Sequence, residues 1–353
     1  MATEQELEAI GQALVDPRQP LQARFRALFT LRGLGGPDAI AWISRAFGDE
    51  SALLKHELAY CLGQMQDERA IPVLADVLRD TGQDAMVRHE AGGFHFTHSF
   101  VYWAPAACQA LFWGGRQSKE AKMNGRRGQP APPQPRPGEA LGAIGNPEVL
   151  ELLRQYSTDP VVEVAETCQL AIRRLEWLQQ HGGEPVAGPY LSVDPAPPAE
   201  ERDVRRLREA LLDEARPLFD RYRAMFALRN AGGEEAALAL AEGLRCGSAL
   251  FRHEVGYVLG QLQHEAAVPG LAAALARRAE SAMVRHECAE ALGAIAGPAS
   301  LAALRAHAAD PERVVRESCQ VALDVCAHEH AAAFQYADGL ERVRAAAAAA
   351  PAP

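Results

Sequence analysis

The stretch LLKHELAYCLGQM, residues 53–65, is written a second time as LFRHEVGYVLGQL, residues 250–262, at an offset of 197. Within it Leu53, Leu54, Leu58 and Leu62 recur at helical spacing, the pattern of an amphipathic helix with one buried face. A break follows, then a second apolar series: Ile71, Val73, Leu74, Val77 and Leu78. Pro72 and Pro269 fall just inside the starts of these second helices, where a missing N–H costs little. The stretch therefore predicts a helical pair, and its repetition predicts that such pairs stack.

Working outward, PLQARFRALFTLRGLGG from Pro20 returns as PLFDRYRAMFALRNAGG from Pro217, and MVRHEAG from Met86 returns as MVRHECA from Met283, both again at 197. A shorter period sits inside each half, because His56 to His89 and His253 to His286 are both 33 residues. A helical pair of that length cannot bury its apolar face alone, so neighbours must cover it. The expected fold is all-α: a HEAT-like α-solenoid of about eight helical-hairpin repeats in two pseudo-symmetric halves. Farther along, Asp159-Pro160 matches Asp310-Pro311 at an offset of 151, which locates 46 extra residues at 93–138 in the first half.

The expected organisation is an N-terminal half over 1–181 interrupted by 93–138, a Pro/Gly-rich linker over 182–201, a C-terminal half over 202–330 and an Ala-rich tail over 331–353. The linker, GGEPVAGPYLSVDPAPPAEE, excludes a continuous helix. It is expected to be partly extended and to let the halves face each other. The tail is expected to hold one amphipathic stretch and then disorder.

Composition narrows the function. The 353 residues carry a formal charge of −10, against a nucleic-acid binder, which needs a basic face. Residues 93–138 alone hold six Lys+Arg and one Asp+Glu, so the remaining 307 residues carry −15. An acidic scaffold suits a cationic substrate. Seven widely spaced cysteines without a CxxC pair argue against a disulfide framework and for a reducing compartment. The N-terminus reads as neither a signal nor a transit peptide, and the most apolar run, Phe100 to Trp113, is too short to span a membrane. No membrane association and a cytoplasmic location are expected. No phosphate-binding loop, nucleophile elbow or dinucleotide fingerprint is present.

The chemistry-bearing residues are four His-Glu dipeptides in repeat register: His56-Glu57, His89-Glu90, His253-Glu254 and His286-Glu287. Stacked equivalent helices lie about 10 Å apart, so histidines one repeat apart point the same way and two imidazoles from each half can converge on one ion. A His and its own Glu diverge by roughly 100°, and not every group need be a ligand. Two His with one or two carboxylates suit a redox-active iron with open positions for oxygen. Zinc is the alternative, although duplicated His/Glu sites follow helical di-iron logic. A single His-Glu pair on a helix is ordinarily a solvated surface pair. Four copies in register are not ordinary, and His264-Glu265 and His328-Glu329, which fall off the register, read as surface residues. His95 and His98 in the inserted segment, and His181 and His307, have no partners in register. Gly63 and Gly260 read as close-packing positions, or as room for substrate. Met86 and Met283 read as packing residues. Tyr60 and Tyr257 share a helical face with His56 and His253 and read as outer-shell or core groups.

The motifs KHELAYCLGQM, MVRHEA, FRHEVGYVLGQL and MVRHECAEALGAI resemble deoxyhypusine hydroxylase, from about Gln5 to Val325 apart from 93–138. The resemblance implies hydroxylation of the deoxyhypusine side chain on translation initiation factor 5A, with two iron ions (Fe2+), molecular oxygen as co-substrate and an electron donor that the sequence does not show. It implies that His56, His89 and Glu90 hold one iron, and His253, His286 and Glu287 the other. Glu57 and Glu254 would face the substrate amines or add to the metal ligands.

The 93–138 segment departs from the family. It is aromatic and then Pro-rich, fits no repeat period and begins at residue 93, with two residues between it and Glu90. It reads as translated non-coding sequence or an alternative isoform, the other reading being a lid or docking loop. Either way it is expected to weaken the first iron site relative to the second. The rival functions are a non-catalytic HEAT-repeat adaptor, an inactive insertion-bearing form of the hydroxylase, and an enzyme of the bilin-lyase type.

Overall fold

The structure, a computed structural model, describes residues 2–65, 67–92, 147–181, 190, 194–329 and 337–349. The 93–138 segment with His95 and His98, the side chains of His328-Glu329, most of 182–193 and residues 330–336 lie outside the described residues. Among the described residues there are 17 α-helices and no strand.

Each helical hairpin has an outer and an inner helix. In the first half the outer helices are α1 (Glu4–Val15), α3 (Gly36–Arg45), α5 (Ile71–Arg79) and α7 (Pro147–Tyr156); the inner ones are α2 (Leu21–Leu34), α4 (Ala52–Met65), α6 (Ala85–Gly92) and α8 (Val162–Gln180). The second half repeats this with outer α9 (Val204–Leu212), α11 (Gly233–Glu242), α13 (Val268–Ala276) and α15 (Pro298–His307), and inner α10 (Leu218–Ala231), α12 (Ala249–Leu262), α14 (Ala282–Ile295) and α16 (Arg313–Glu329). A further helix, α17, spans Gly339–Ala349. These are the eight hairpins of an all-α solenoid.

Local chemistry explains the joints. Gly35 and Gly232 end α2 and α10 at φ 67°, ψ −174° and φ 68°, ψ −175°, a region essentially reserved to glycine. Pro72 and Pro269 sit in the first turns of α5 and α13. Four inner helices are tied to their outer partners by one device. Arg24, Arg88, Arg221 and Arg285 are buried, and the Nε of each donates to the carbonyl ten residues earlier, at Leu14 (2.8 Å), Leu78 (3.0 Å), Leu211 (2.9 Å) and Leu275 (2.8 Å). These carbonyls belong to the C-terminal turns of helices, which lack intrahelical partners. The guanidinium thus satisfies a helix end and fixes the hairpin together.

The solenoid closes on itself. Helix α8 touches α10 and α12, while α16 touches α2 and α4. The two junctions carry the same bond. Ser51 caps α4 by accepting from Leu54 N (3.0 Å), and its hydroxyl donates to Glu317 Oε2 on α16 at 2.6 Å. Ser248 caps α12 by accepting from Phe251 N (3.0 Å) and donates to Glu166 Oε2 on α8 at 2.6 Å.

The described end of the segment between the halves, residues 194–201, packs against the solenoid. Ala196 is fully buried. Asp194 receives both Nη groups of buried Arg229, at 2.7 and 2.6 Å, and its carbonyl accepts from Arg174 Nε at 2.8 Å. The Ala-rich tail forms α17, which docks on α1 and α2: Gly339 N donates to Thr30 Oγ1 (3.0 Å) and Arg344 Nε to Glu6 Oε1 (2.8 Å). The high helix propensity of alanine and this ion pair account for the helix over Gly339–Ala349; residues 331–336 and 350–353 of the tail lie outside the described residues.

Candidate metal centre

The inner helices α4, α6, α12 and α14 carry the four in-register His-Glu dipeptides. Ser51 and Ser248 fix the starts of α4 and α12. On α6 and α14 the residue before the histidine is the hairpin arginine. Arg88 reaches outward to Leu78 O and to Asp159 (2.7 Å), and Arg285 to Leu275 O and Asp310 (2.6 Å). The next residue on a helix diverges by roughly 100°, so anchoring the arginine turns the histidine toward the interior.

All four imidazoles meet there. Ring centroids are 5.7 Å apart for His56–His89 and 5.4 Å for His253–His286. Pairs across the halves are as close: 5.0 Å for His56–His286, 5.2 Å for His89–His253 and 6.1 Å for His56–His253. The sequence pairs the histidines within halves; the structure brings them into one cluster. One ligand atom from each of His56, His89 and His253 lies within 4.8 Å of the others, and the same is true of His253, His286 and Glu287. Glu90 Oε2 is 3.5 Å from His56 Nε2, and Glu287 Oε2 is 3.2 Å from His253 Nε2. Glu57 Oε1 lies 3.4 Å from His56 Nδ1. Glu57 and Glu254 are both buried.

Burial pushes the pKa of His56, His89 and His286 well below the ordinary histidine value, and neighbouring imidazoles add to it. His253 is also lowered, chiefly by burial. These are neutral imidazoles, the form that ligates metal. Burial raises Glu57 well above the carboxylate range, and the charges of Glu290, Glu90 and Glu287 push it the same way. Glu287 rises with burial and with Glu290, and Glu254 is pushed up to about 8, mainly by burial.

Both ring nitrogens of His56, His253 and His286, Nε2 of His89, both carboxylate oxygens of Glu57 and Oε1 of Glu254 are buried without a hydrogen-bond partner. Each such group costs about 1–3 kcal/mol in desolvation. A divalent cation resolves part of this: it takes the one lone pair that each neutral imidazole offers. The N/O donor set fits a first-row ion such as iron or zinc.

Glu290 is a residue that repeat comparison missed. It is 7% exposed, one turn after His286, with Oε1 3.5 Å from His286 Nδ1. Thr167 is another, its Oγ1 3.5 Å from His89 Nδ1. Arg229 is a third: through Gln261 Oε1 (2.7 Å) it reaches Tyr257 OH, which accepts from Gln261 Nε2 at 2.8 Å, one turn from His253. Gly260 is a close-packing position, since a Cβ there would stand 3.2 Å from Ala291 Cα. Met86 and Met283 are core residues. The off-register His264 caps a helical turn, accepting from Ala266 N at 3.2 Å. His181 Nδ1 and His307 Nδ1 pair with the carbonyls of Trp177 and Ala303 at 2.8 and 2.9 Å.

Fold and site together define a HEAT-repeat protein whose inner helices gather a buried histidine–carboxylate cluster fit to hold metal. Residues 7–92 and 237–324 match the family of HEAT repeats, and residues 220–246 match the PBS lyase HEAT-like repeat. Deoxyhypusine hydroxylase of Homo sapiens is 73% identical over 346 residues, covering 98% of this chain and 99% of that protein. The Drosophila melanogaster deoxyhypusine hydroxylase is 49% identical over 346 residues, again 98% of this chain and 99% of that protein. The solved structure of human deoxyhypusine hydroxylase in complex with glycerol is similar with a TM-score of 0.77 and 74% identity, over 92% of this chain and 97% of that one. The chain belongs to the deoxyhypusine hydroxylase family, a family of enzymes.

Proposed function

We propose that this chain hydroxylates the deoxyhypusine side chain of translation initiation factor 5A, with two iron ions held by the clustered histidines. The observation that carries the reading is the meeting of His56, His89, His253 and His286 within about 6 Å, from both halves, with buried ring nitrogens that no hydrogen bond satisfies. His56, His89 and Glu90 would hold one iron, and His253, His286 and Glu287 the other. Bound iron supplies the oxidation of the substrate C–H by molecular oxygen. The balance is one C–H and one O2, with two electrons and two protons from a separate donor, giving C–OH and water.

The chain's own residues bind and orient. The substrate is an aliphatic chain carrying amines that are largely protonated near neutral pH. Glu57 and Glu254, buried beside the two histidine pairs, accept those ammonium groups, and each ion pair draws the carboxylate back to its charged form. The net charge of the scaffold outside 93–138 favours approach of a cationic side chain. Burial of the four imidazoles keeps bulk water from the reacting C–H. Among the described residues no helix is long and apolar enough to cross a membrane. A translation factor as substrate puts the reaction in the cytoplasm.

The test is iron analysis and a hydroxylation assay on the deoxyhypusine form of the factor. Two irons per chain and hydroxylated product are expected. An iron-free protein after iron-replete expression, or an iron-loaded protein that leaves the side chain unchanged with a reductant present, overturns the reading.

A further inference from the structure

The offset of 197 pairs Arg32 with Arg229, and the two arginines are furnished differently. Arg229 is 1% exposed and surrounded by acceptors. Its Nη1 and Nη2 reach the two carboxylate oxygens of Asp194 at 2.7 and 2.6 Å. Nη1 also donates to Gln261 Oε1 at 2.7 Å, and Nε and Nη2 both donate to Asn230 Oδ1 at 3.1 Å. Its Cζ stands over the rings of Phe226 and Tyr190, at 4.8 and 4.4 Å. Asp194 and Tyr190 belong to the segment between the halves, so the chain itself supplies this arginine with its anion.

Arg32 keeps the aromatic seat without the acceptors. Its Cζ stands 5.1 Å over Phe29, the counterpart of Phe226, but its Nη1 is buried with no hydrogen-bond partner. The place of Asn230 is taken by Gly33, which is exposed, and a Cβ there would meet nothing within 4 Å. Open room therefore lies beside a half-buried guanidinium with an unmet donor. The place also borders the metal centre. Burial raises Glu57 and the Arg32 charge opposes that rise, which puts the arginine within electrostatic reach of a carboxylate read as a seat for a substrate amine.

An unmet buried donor costs free energy until an acceptor arrives, and the planar guanidinium fork matches a carboxylate. We propose that Arg32 docks the protein substrate by receiving one of its aspartate or glutamate side chains, in the position that Asp194 fills at Arg229. The segment between the halves then plugs one end of the pseudo-twofold with the chain's own carboxylate, and the other end is the entrance. Two equivalent ends would admit the modified side chain from opposite directions; a single open arginine selects one of them. The inference rests on the reading of the translation factor as the substrate.

The test measures binding of the folded, deoxyhypusine-bearing factor to the full chain by fluorescence anisotropy, under anaerobic conditions that prevent turnover, together with hydroxylation kinetics in air. Arg32→Gln is expected to weaken binding and raise KM by about 10–100-fold, with kcat and iron content unchanged, and Arg32→Lys to recover part of the loss. Because Nη1 is unmet in the chain alone, the urea midpoint of Arg32→Gln is expected to match or exceed that of the parent, whereas Arg229→Gln, which releases Asp194, unfolds earlier. Arg32→Glu is expected to abolish binding, and one acid-to-lysine change in the factor to restore it. Arg32→Gln binding as tightly as wild type overturns the proposal, and so does an equal loss in Arg216→Gln at an exposed arginine. Failure of every acid-to-lysine change to rescue Arg32→Glu overturns it as well. A wild-type chain that binds the factor through Arg32 but leaves it unhydroxylated overturns the proposed function alone. A wild-type chain that does not bind the factor overturns both.

Discussion

Replacing Arg285 by alanine removes the group that joins the second metal-bearing helix to its outer partner. Arg285 is 4% exposed and Asp310 7%. Its Nε donates to Leu275 O at 2.8 Å, and its two Nη atoms reach Asp310 Oδ1 and Oδ2 at 3.3 and 2.6 Å. Truncation leaves a buried carboxylate held by the Glu312 amide at 3.0 Å, and it strands a helix-terminal carbonyl. Breaking a buried pair from one side costs about 3–5 kcal/mol. An exposed pair such as Arg216–Asp213, with side chains 52% and 46% exposed, contributes about 0–1 kcal/mol. Urea unfolding of Arg285→Ala, Asp310→Ala and the double variant at pH 7 separates these cases, with Arg216→Ala as the reference. The double variant is expected to lose markedly less than the sum of the single losses, because removing both charges leaves neither stranded. The apo chain of Arg285→Ala should also bind Co(II) more weakly at the His286 side. An Arg285→Ala protein as stable as Arg216→Ala would refute the reasoning.

Gly232→Ala places a Cβ at a φ of 68° and should cost about 1–3 kcal/mol, read as a lowered urea midpoint without loss of metal stoichiometry. Asp159 is held below its usual range, chiefly by hydrogen bonds from Arg88. Its stabilisation is fully present above the unfolded aspartate value and is lost as pH falls through the lower folded one. Asp159→Asn should therefore be less stable at neutral pH, with the gap to the parent closing below about pH 4; a gap constant down to pH 2 refutes this. Deleting 93–138 restores the register of MVRHEAG with EALGAI and should tighten the first-half ion relative to the second, measured by stepwise Co(II) affinity; unchanged affinities count against it.

The repeats made much of this molecule legible. Offsets of 197 and 33 placed four His-Glu pairs on equivalent helices, and Pro72 and Pro269 marked the starts of the second helices. Other features were hidden for identifiable reasons. A repeat comparison finds what the halves share, so Thr167 and its counterpart Ser318, which differ in what they touch, gave no signal. Glu290 lay inside a quoted motif, but its partner copy, Glu139, falls beyond the extra segment, so no four-residue pairing with histidine recurred. The arginine of the RHE motif recurs visibly, but its ten-residue reach to a helix-end carbonyl is a tertiary contact that apolar periodicity does not encode. Nor can periodicity say that Ser51 meets Glu317, 266 residues away.

The paired junction bonds, Ser51 with Glu317 and Ser248 with Glu166, have the form of an isologous contact: one surface patch meets its own copy, and the partners are exchanged. The molecule is built as a twofold dimer whose subunits are covalently joined. In a true homodimer every substitution is made twice, so both halves of a central site must remain alike. Here each half can change alone, which is how one arginine can hold a carboxylate of its own chain while its counterpart keeps the place open.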